Sequence, residues 1–150
     1  KGNRSKIDYR NIAEVYDRRD ENCLFCLDSY QSIPSSRLIA QNSLAYSIFD
    51  KYPVSKGHSL IIPKRHFSEY FEINQAEINA MHHLMLEIKS KLSNSDPKIT
   101  GFNIGINQGK DAGQTIMHCH MHLIPRRKND TIDPTGGVRN SIPGKGNYLA

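Results

Sequence analysis

The chain has 150 residues, 37% of them hydrophobic, and carries 20 Lys and Arg against 15 Asp and Glu, a formal net charge of +5. That length supports one domain with a real core, and no run of roughly 18 apolar residues is present to cross a bilayer as a helix. Three Cys, an odd count, speak for a reducing compartment, expected to be the cytoplasm, rather than for a disulfide scaffold.

The basic excess suits anionic partners such as nucleotides without singling out nucleic acid. Lys1 to Arg10 is polar and charged, unlike a secretory leader. Residues 1–22 read as an extension, in which Asp8 suits the cap of a short helix with Ile12, Val15 and Tyr16 along one side. Cys23-Leu24-Phe25-Cys26 follows. A lone Cys-x-x-Cys is a redox pair, half of a metal site, or chance; without a helix start to activate a thiol, metal is the favoured reading. Zinc would then need two further ligands.

Ser35 to Ala40 and Leu44 to Phe49 read as short strands joined by Gln41-Asn42-Ser43. Ser59 to Ile62 is a third strand, ended by Pro63. Asn74 with Glu77 forms a variant capping box. From there Ile78, Met81, Met85, Ile88 and Leu92 step by three and four, so they predict a helix with an apolar stripe that ends before Asn94. His82 and His83 flank that stripe and read as surface residues. Residues 101–107 alternate as a half-buried strand, and the glycine-bearing loop Gly109 to Gly113 turns it back into an antiparallel partner. Residues 129–150 are expected to form a basic tail with Pro and Gly and no periodicity, although Arg139 and Lys145 there are matched by Asp130 and Asp133. Antiparallel strands with one principal helix define an α+β fold.

The partner strand carries the chemistry. Met117 to Ile124 alternates, so an extended strand would set His118, His120 and His122 on one face, about 6–7 Å apart. Met117, Cys119, Met121 and Leu123 would face the core. Polar strand faces are ordinarily filled by Lys, Glu, Thr or Ser. Imidazole is the side chain that serves as nucleophile, acid, base or metal ligand near neutral pH. Just ahead, Gly113-Gln114-Thr115 offers an amide, a hydroxyl and backbone N–H groups suited to phosphate oxygens. Asp50 is either a turn residue before Pro53 or an acceptor for paired hydroxyls.

His118-Cys119-His120-Met121-His122-Leu123-Ile124 matches His-φ-His-φ-His-φ-φ, φ being apolar. In this block, in Gly101 to Gly109, in Gly113 to Thr115 and in His58 to His66, the chain resembles the histidine-triad (HIT) family. The resemblance implies a HIT domain over residues 23–128, with a five-stranded antiparallel sheet, commonly in a homodimer. It implies that His120 is the nucleophile, that His122 lies by the transferred phosphate and that His58 is the family's fourth His. Asn107, Gln114 and Thr115 would contact phosphate or leaving group, and Asp50 the ribose.

Relatives carrying the Cys pair imply a structural zinc on Cys23, Cys26, His66 and His118, with no organic cofactor. The expected activity is a nucleotide hydrolase or transferase acting through a nucleotidyl-His intermediate. It would cleave at the α-phosphate of nucleoside phosphoramidates, dinucleoside polyphosphates or related adenylylated compounds. His122 stands where the uridylyltransferase branch has Gln, which favours water as acceptor. Two alternatives stand beside it. An aprataxin-like nucleic-acid deadenylase would use the same triad, though no C2H2 zinc-finger module is seen in this sequence. A non-catalytic nucleotide-binding module would have no need of an intact triad. No membrane partner is expected.

Overall fold

Alternating apolar residues in five segments build a single antiparallel sheet in the computed structural model, which describes residues 20–27 and 33–150. The strands are β1 (Leu38–Gln41), β2 (Ala45–Phe49), β3 (Ser59–Pro63), β4 (Ile99–Gly105) and β5 (Met121–Arg127), in spatial order β1-β2-β3-β5-β4. A single turn, α1 (Leu24–Leu27), precedes the sheet, and α2 (Gln75–Ser95) connects β3 to β4. The helix expected near Asp8 lies outside the described residues. No helix among the described residues is long and apolar enough to cross a membrane.

The sheet divides the core by strand parity. On one face Ile61 and Leu123 pack with Met81, Leu84, Ile88 and Leu92 of α2. On the other face Leu60, Ile62, Tyr46 and Ile48 pack with Cys23, Phe25 and Cys26. Central β3 is buried along its whole length, as a strand flanked on both edges should be.

The helix start is as predicted: Asn74 Oδ1 accepts from the Glu77 N–H at 2.8 Å, and Glu77 Oε1 accepts from the Asn74 N–H at 3.1 Å. Its buried face differs from the predicted stripe. Ile78 is 36% exposed, Met85 is half-buried, and Leu84 is buried in their place. Glu77 causes the shift by turning inward, where the Arg65 guanidinium meets its carboxylate at 2.7 and 3.0 Å. The helix also runs to Ser95, two residues past the predicted end, and stops at Asp96 ahead of Pro97. There the backbone preceding a proline leaves the helical region. His82 and His83 are exposed, as expected.

The histidine segment corrects a second expectation. β5 begins only at Met121, so His122 alone lies in the strand, while His118 and His120 stand on irregular backbone before it. The Cys119 N–H donates to the Phe67 carbonyl at 2.7 Å, which draws this stretch away from the sheet ladder. Cys119 is buried as predicted, whereas Met117 is 48% exposed.

The tail also has more structure than its sequence suggests. Its 3-10 turn, Gly137–Ser141, packs beside β4. Gly136 has φ +87°, and a Cβ there would collide with the Gly146 backbone, so the chain approaches itself in a way only glycine permits.

Candidate active site and metal centre

Hydrogen bonds set the tautomer of each imidazole in the candidate site, through the backbone at His120 and His58 and through His58 at His122. His120 Nδ1 lies 2.8 Å from the His118 carbonyl, so Nδ1 carries the proton and Nε2 keeps its lone pair. Phe25 packs edge-on against the His120 ring at 4.9 Å. The Val54 N–H donates to His58 Nδ1 at 3.1 Å, so in the neutral ring Nε2 bears the proton. That Nε2–H faces His122 Nδ1 at 2.9 Å and Asp50 Oδ2 at 3.4 Å. His122 therefore accepts at Nδ1 and presents Nε2–H. Burial pushes His58, His120 and His122 below the ordinary imidazole range. His122 comes down to about 4, with His120 and His58 adding to the desolvation.

These groups open into one cavity of about 420 Å³, bordered by Asp50, His58, Asn107, Thr115, His120 and His122. Leu24, Phe25, Tyr52 and Leu60 form its less polar side. Gln114 stands apart from it. Its amide donates to the carbonyls of Ser68 and Ile116, and its Oε1 accepts from the Gly109 N–H, so it braces the loop ahead of the triad. Sequence reasoning passed over Leu24 and Phe25 as pocket residues. Their signal was their position inside Cys-x-x-Cys, since whatever draws the two Cys to His118 also brings what lies between them.

Cys23, Cys26, His66 and His118 converge with their ligand atoms all within 4.8 Å. Nδ1 of His118 lies 3.4 Å from each sulfur, and Nδ1 of His66 lies 3.3 Å from the Cys26 sulfur and 3.2 Å from His118 Nδ1. Metal–sulfur bonds of about 2.3 Å and metal–nitrogen bonds of about 2.0 Å at tetrahedral angles require edges of about 3.3 Å between nitrogens, about 3.5 Å between nitrogen and sulfur and about 3.8 Å between sulfurs. The residues therefore fit a tetrahedral metal ion. His118 Nε2–H donates to the Pro63 carbonyl at 2.7 Å, leaving Nδ1 as the free donor atom, the usual second contact of a ligating His. Burial raises the Cys26 thiol to about 11 and lowers His118 to about 4, so no proton on the imidazole competes at neutral pH.

Asp50, His58 and His122 also lie within ligand distance of one another. The Val54 N–H occupies the only lone pair of neutral His58, so its Nε2 acts there as a hydrogen-bond donor and not as a metal ligand.

A lone-pair imidazole and a donor imidazole over one pocket, on a five-stranded sheet with one main helix, define a histidine-triad fold and site. The family profile described as the HIT domain matches residues 31–129, and the chain belongs to the HIT family. Adenylylsulfatase HINT3 of Arabidopsis thaliana is 36% identical over 121 residues, covering 79% of this chain and 59% of that protein. Adenosine 5'-monophosphoramidase HNT1 of Candida albicans is 32% identical over 113 residues, covering 73% and 74%. A Zn-bound histidine triad family protein from Mycobacterium smegmatis superposes with TM-score 0.66 at 32% identity, covering 75% of this chain and 80% of that one.

Proposed function

We propose that the protein is a nucleotidyl hydrolase. It would cleave nucleoside phosphoramidates, dinucleoside polyphosphates or related adenylylated compounds at the α-phosphate. The observation that carries this reading is the 2.8 Å bond from His120 Nδ1–H to the His118 carbonyl, which leaves Nε2 as an uncharged nucleophile on the pocket wall. Nε2 attacks phosphorus while the bond to the leaving atom breaks. The leaving atom keeps the electron pair and takes a proton from water. A second water then attacks phosphorus, the P–N pair returns to His120, and a nucleoside monophosphate and a proton are released. His122 Nε2–H, Asn107 and Thr115 supply donors for the phosphoryl oxygens. Asp50 accepts from the ribose hydroxyls, and the base lies against Leu24, Phe25 and Leu60.

Cys23, Cys26, His66 and His118 would hold a structural zinc. When bound, it would cross-link α1 to the segment ahead of β5, and four protein ligands leave no open position for catalysis. The soluble nucleotide, rather than nucleic acid, is the favoured substrate, and a homodimer in the cytoplasm the favoured state. The relatives named adenylylsulfatase and monophosphoramidase support the hydrolase reading.

The test incubates the protein with AMP amidate, diadenosine tetraphosphate and 5'-adenylylated DNA, and follows AMP release. Acid quenching early in turnover should trap an adenylyl adduct on His120, seen by peptide mass spectrometry. Preference for adenylylated DNA at physiological salt would favour the deadenylase alternative. Nucleotide binding without AMP release from any of the three would favour a binding module.

A further inference from the structure

The nucleotide pocket has a second end, away from the triad. Leu38↔Ile48, Ile48↔Leu60 and Leu60↔His122 are paired in register, so one row of side chains crosses the sheet from His122 in β5 to β1. Three strand spacings make that row about 14 Å long. Leu60 borders the pocket partway along the row, and Arg37, the residue before β1, borders it at the outer end. The Phe49 N–H donates to the Arg37 carbonyl at 2.9 Å, which fixes Arg37 beside the end of β2, where Asp50 follows.

Among the described lining residues, Arg37 and Lys51 are the only Lys or Arg. They suit different tasks. Lys51 is exposed, and its ammonium is a hydrated point charge that attracts anions without telling one base from another. Arg37 is half-buried, and its guanidinium is a planar fork of five donors, enough to keep a protein contact and still face a ligand. With phosphorus at His120 Nε2 and the ribose on Asp50, a nucleotide laid along the row would send its base toward β1 and the base edge to Arg37. A second phosphate on the ribose would instead crowd the Asp50 carboxylate.

We propose that Arg37 selects the base, favouring the 6-oxopurines guanine and hypoxanthine over adenine. This rests on the nucleotide placement of the hydrolase reading above. Guanidinium N–H groups donate to O6 and N7, both acceptors on a 6-oxopurine, as paired charge-assisted bonds. Adenine keeps N7 but turns its N6 amino group toward the fork. Donor then faces donor, and both lose water without gaining a partner. Arg37 is thus a specificity residue that stands across the sheet from the reacting atoms.

The experiment measures kcat/KM of the full chain for the 5'-phosphoramidates of guanosine, inosine, adenosine and adenosine 3'-phosphate, and Kd for GMP and AMP by calorimetry. The wild type should favour the guanosine and inosine substrates about tenfold each over adenosine, the scale of one paired contact to a base edge. GMP should bind tighter than AMP in the same proportion. Arg37→Gln should turn the preference toward adenosine, because an amide pairs with N6 and N7 of adenine. Arg37→Met should bring the ratios near one, which keeps the test open if Arg37→Gln fails to fold. An indifferent wild type, or folded variants with the wild-type ratios, overturns the proposal. So does a preference for guanosine that inosine does not share, which would put recognition at the 2-amino group. A wild type that favours the 3'-phosphorylated substrate overturns it too, by giving Arg37 a phosphate to hold. Wild-type protein that turns over no amidate, yet binds GMP tighter than AMP until Arg37 is replaced, overturns the hydrolase reading and upholds the base selection.

Discussion

His120 and His122 are the same residue type, two positions apart, yet their tautomers are opposite. A backbone carbonyl takes the Nδ1 proton of His120, while His58 donates to Nδ1 of His122. One ring thus offers a lone pair and the other an N–H, the pair of functions that phosphoryl transfer requires. His120→Asn should lower kcat by about 10⁴-fold or more, the scale of losing a covalent nucleophile, while AMP affinity by calorimetry stays within about threefold. Near-normal turnover in that variant would rule out the covalent route. Asp50 serves a second need, since Oδ1 accepts the Tyr52 N–H at 2.8 Å and Oδ2 approaches His58. Asp50→Ala should raise KM for a ribonucleotide substrate about tenfold and narrow its advantage over the deoxy analogue, on the scale of a site left without its hydroxyl acceptor. An unchanged ribo-to-deoxy ratio would remove Asp50 from ribose recognition. Residue types announced this site, because few roles other than chemistry explain three alternating imidazoles. The tautomers were not legible, since they depend on Val54 and on a carbonyl whose direction only the fold sets. Gln114 shows the reverse: its composition suits phosphate, but its hydrogen bonds serve the loop.

At the scale of elements, α2 is tied to the end of β3 through Glu77 and Arg65, both buried. The same carboxylate closes the capping box, and Arg65 precedes His66 in the chain. Glu77→Ala would remove the counter-charge of a buried guanidinium and half of the cap. Such losses cost about 3–5 kcal/mol. Asn74→Ala, which removes only the cap, should cost about 1 kcal/mol. Urea denaturation should separate the two variants clearly, and equal midpoints would show that the ion pair adds nothing beyond the cap. The helix and its start were legible because a capping box is a local signal. Its rotational phase was not, because Glu77 points inward for Arg65, a partner two residues past the end of β3. For a similar reason the start of β5 escaped sequence reasoning. Period-two alternation at Met117 to Met121 promised strand, but the backbone bond from Cys119 to Phe67 and the pull of His118 toward the Cys pair outweigh it. The tail gave no periodic signal at all, and the packing of Gly136 on Gly146 is a contact that no local pattern encodes.

For the whole molecule, the candidate metal centre and the candidate active site share the segment from His118 to His122, so stability and acidity are coupled through it. Burial holds His122 at about 4 and lowers His58, whereas in an unfolded chain both titrate near 6.5. Between pH 6.5 and about 4 the unfolded state thus binds more protons than the folded one, and the stability that these rings contribute is lost as pH falls through that window. It is fully present above the unfolded value. A metal contribution moves the same way, because thiol and imidazole ligands must shed protons to bind. Cys26, raised to about 11 by burial when no cation is near, makes that competition strong. Protein purified without chelator should carry close to one zinc per chain, and near pH 7.5 chelation should lower Tm by several degrees. Cys23→Ser should reproduce the chelated value. As pH falls toward about 5, Tm of the untreated protein should drop and the gap to the chelated sample should close. The chelated sample should still lose stability below pH 6.5 through its buried imidazoles. Identical melting of treated and untreated protein near pH 7.5, with no zinc found, would leave the four-residue cluster without a structural ion.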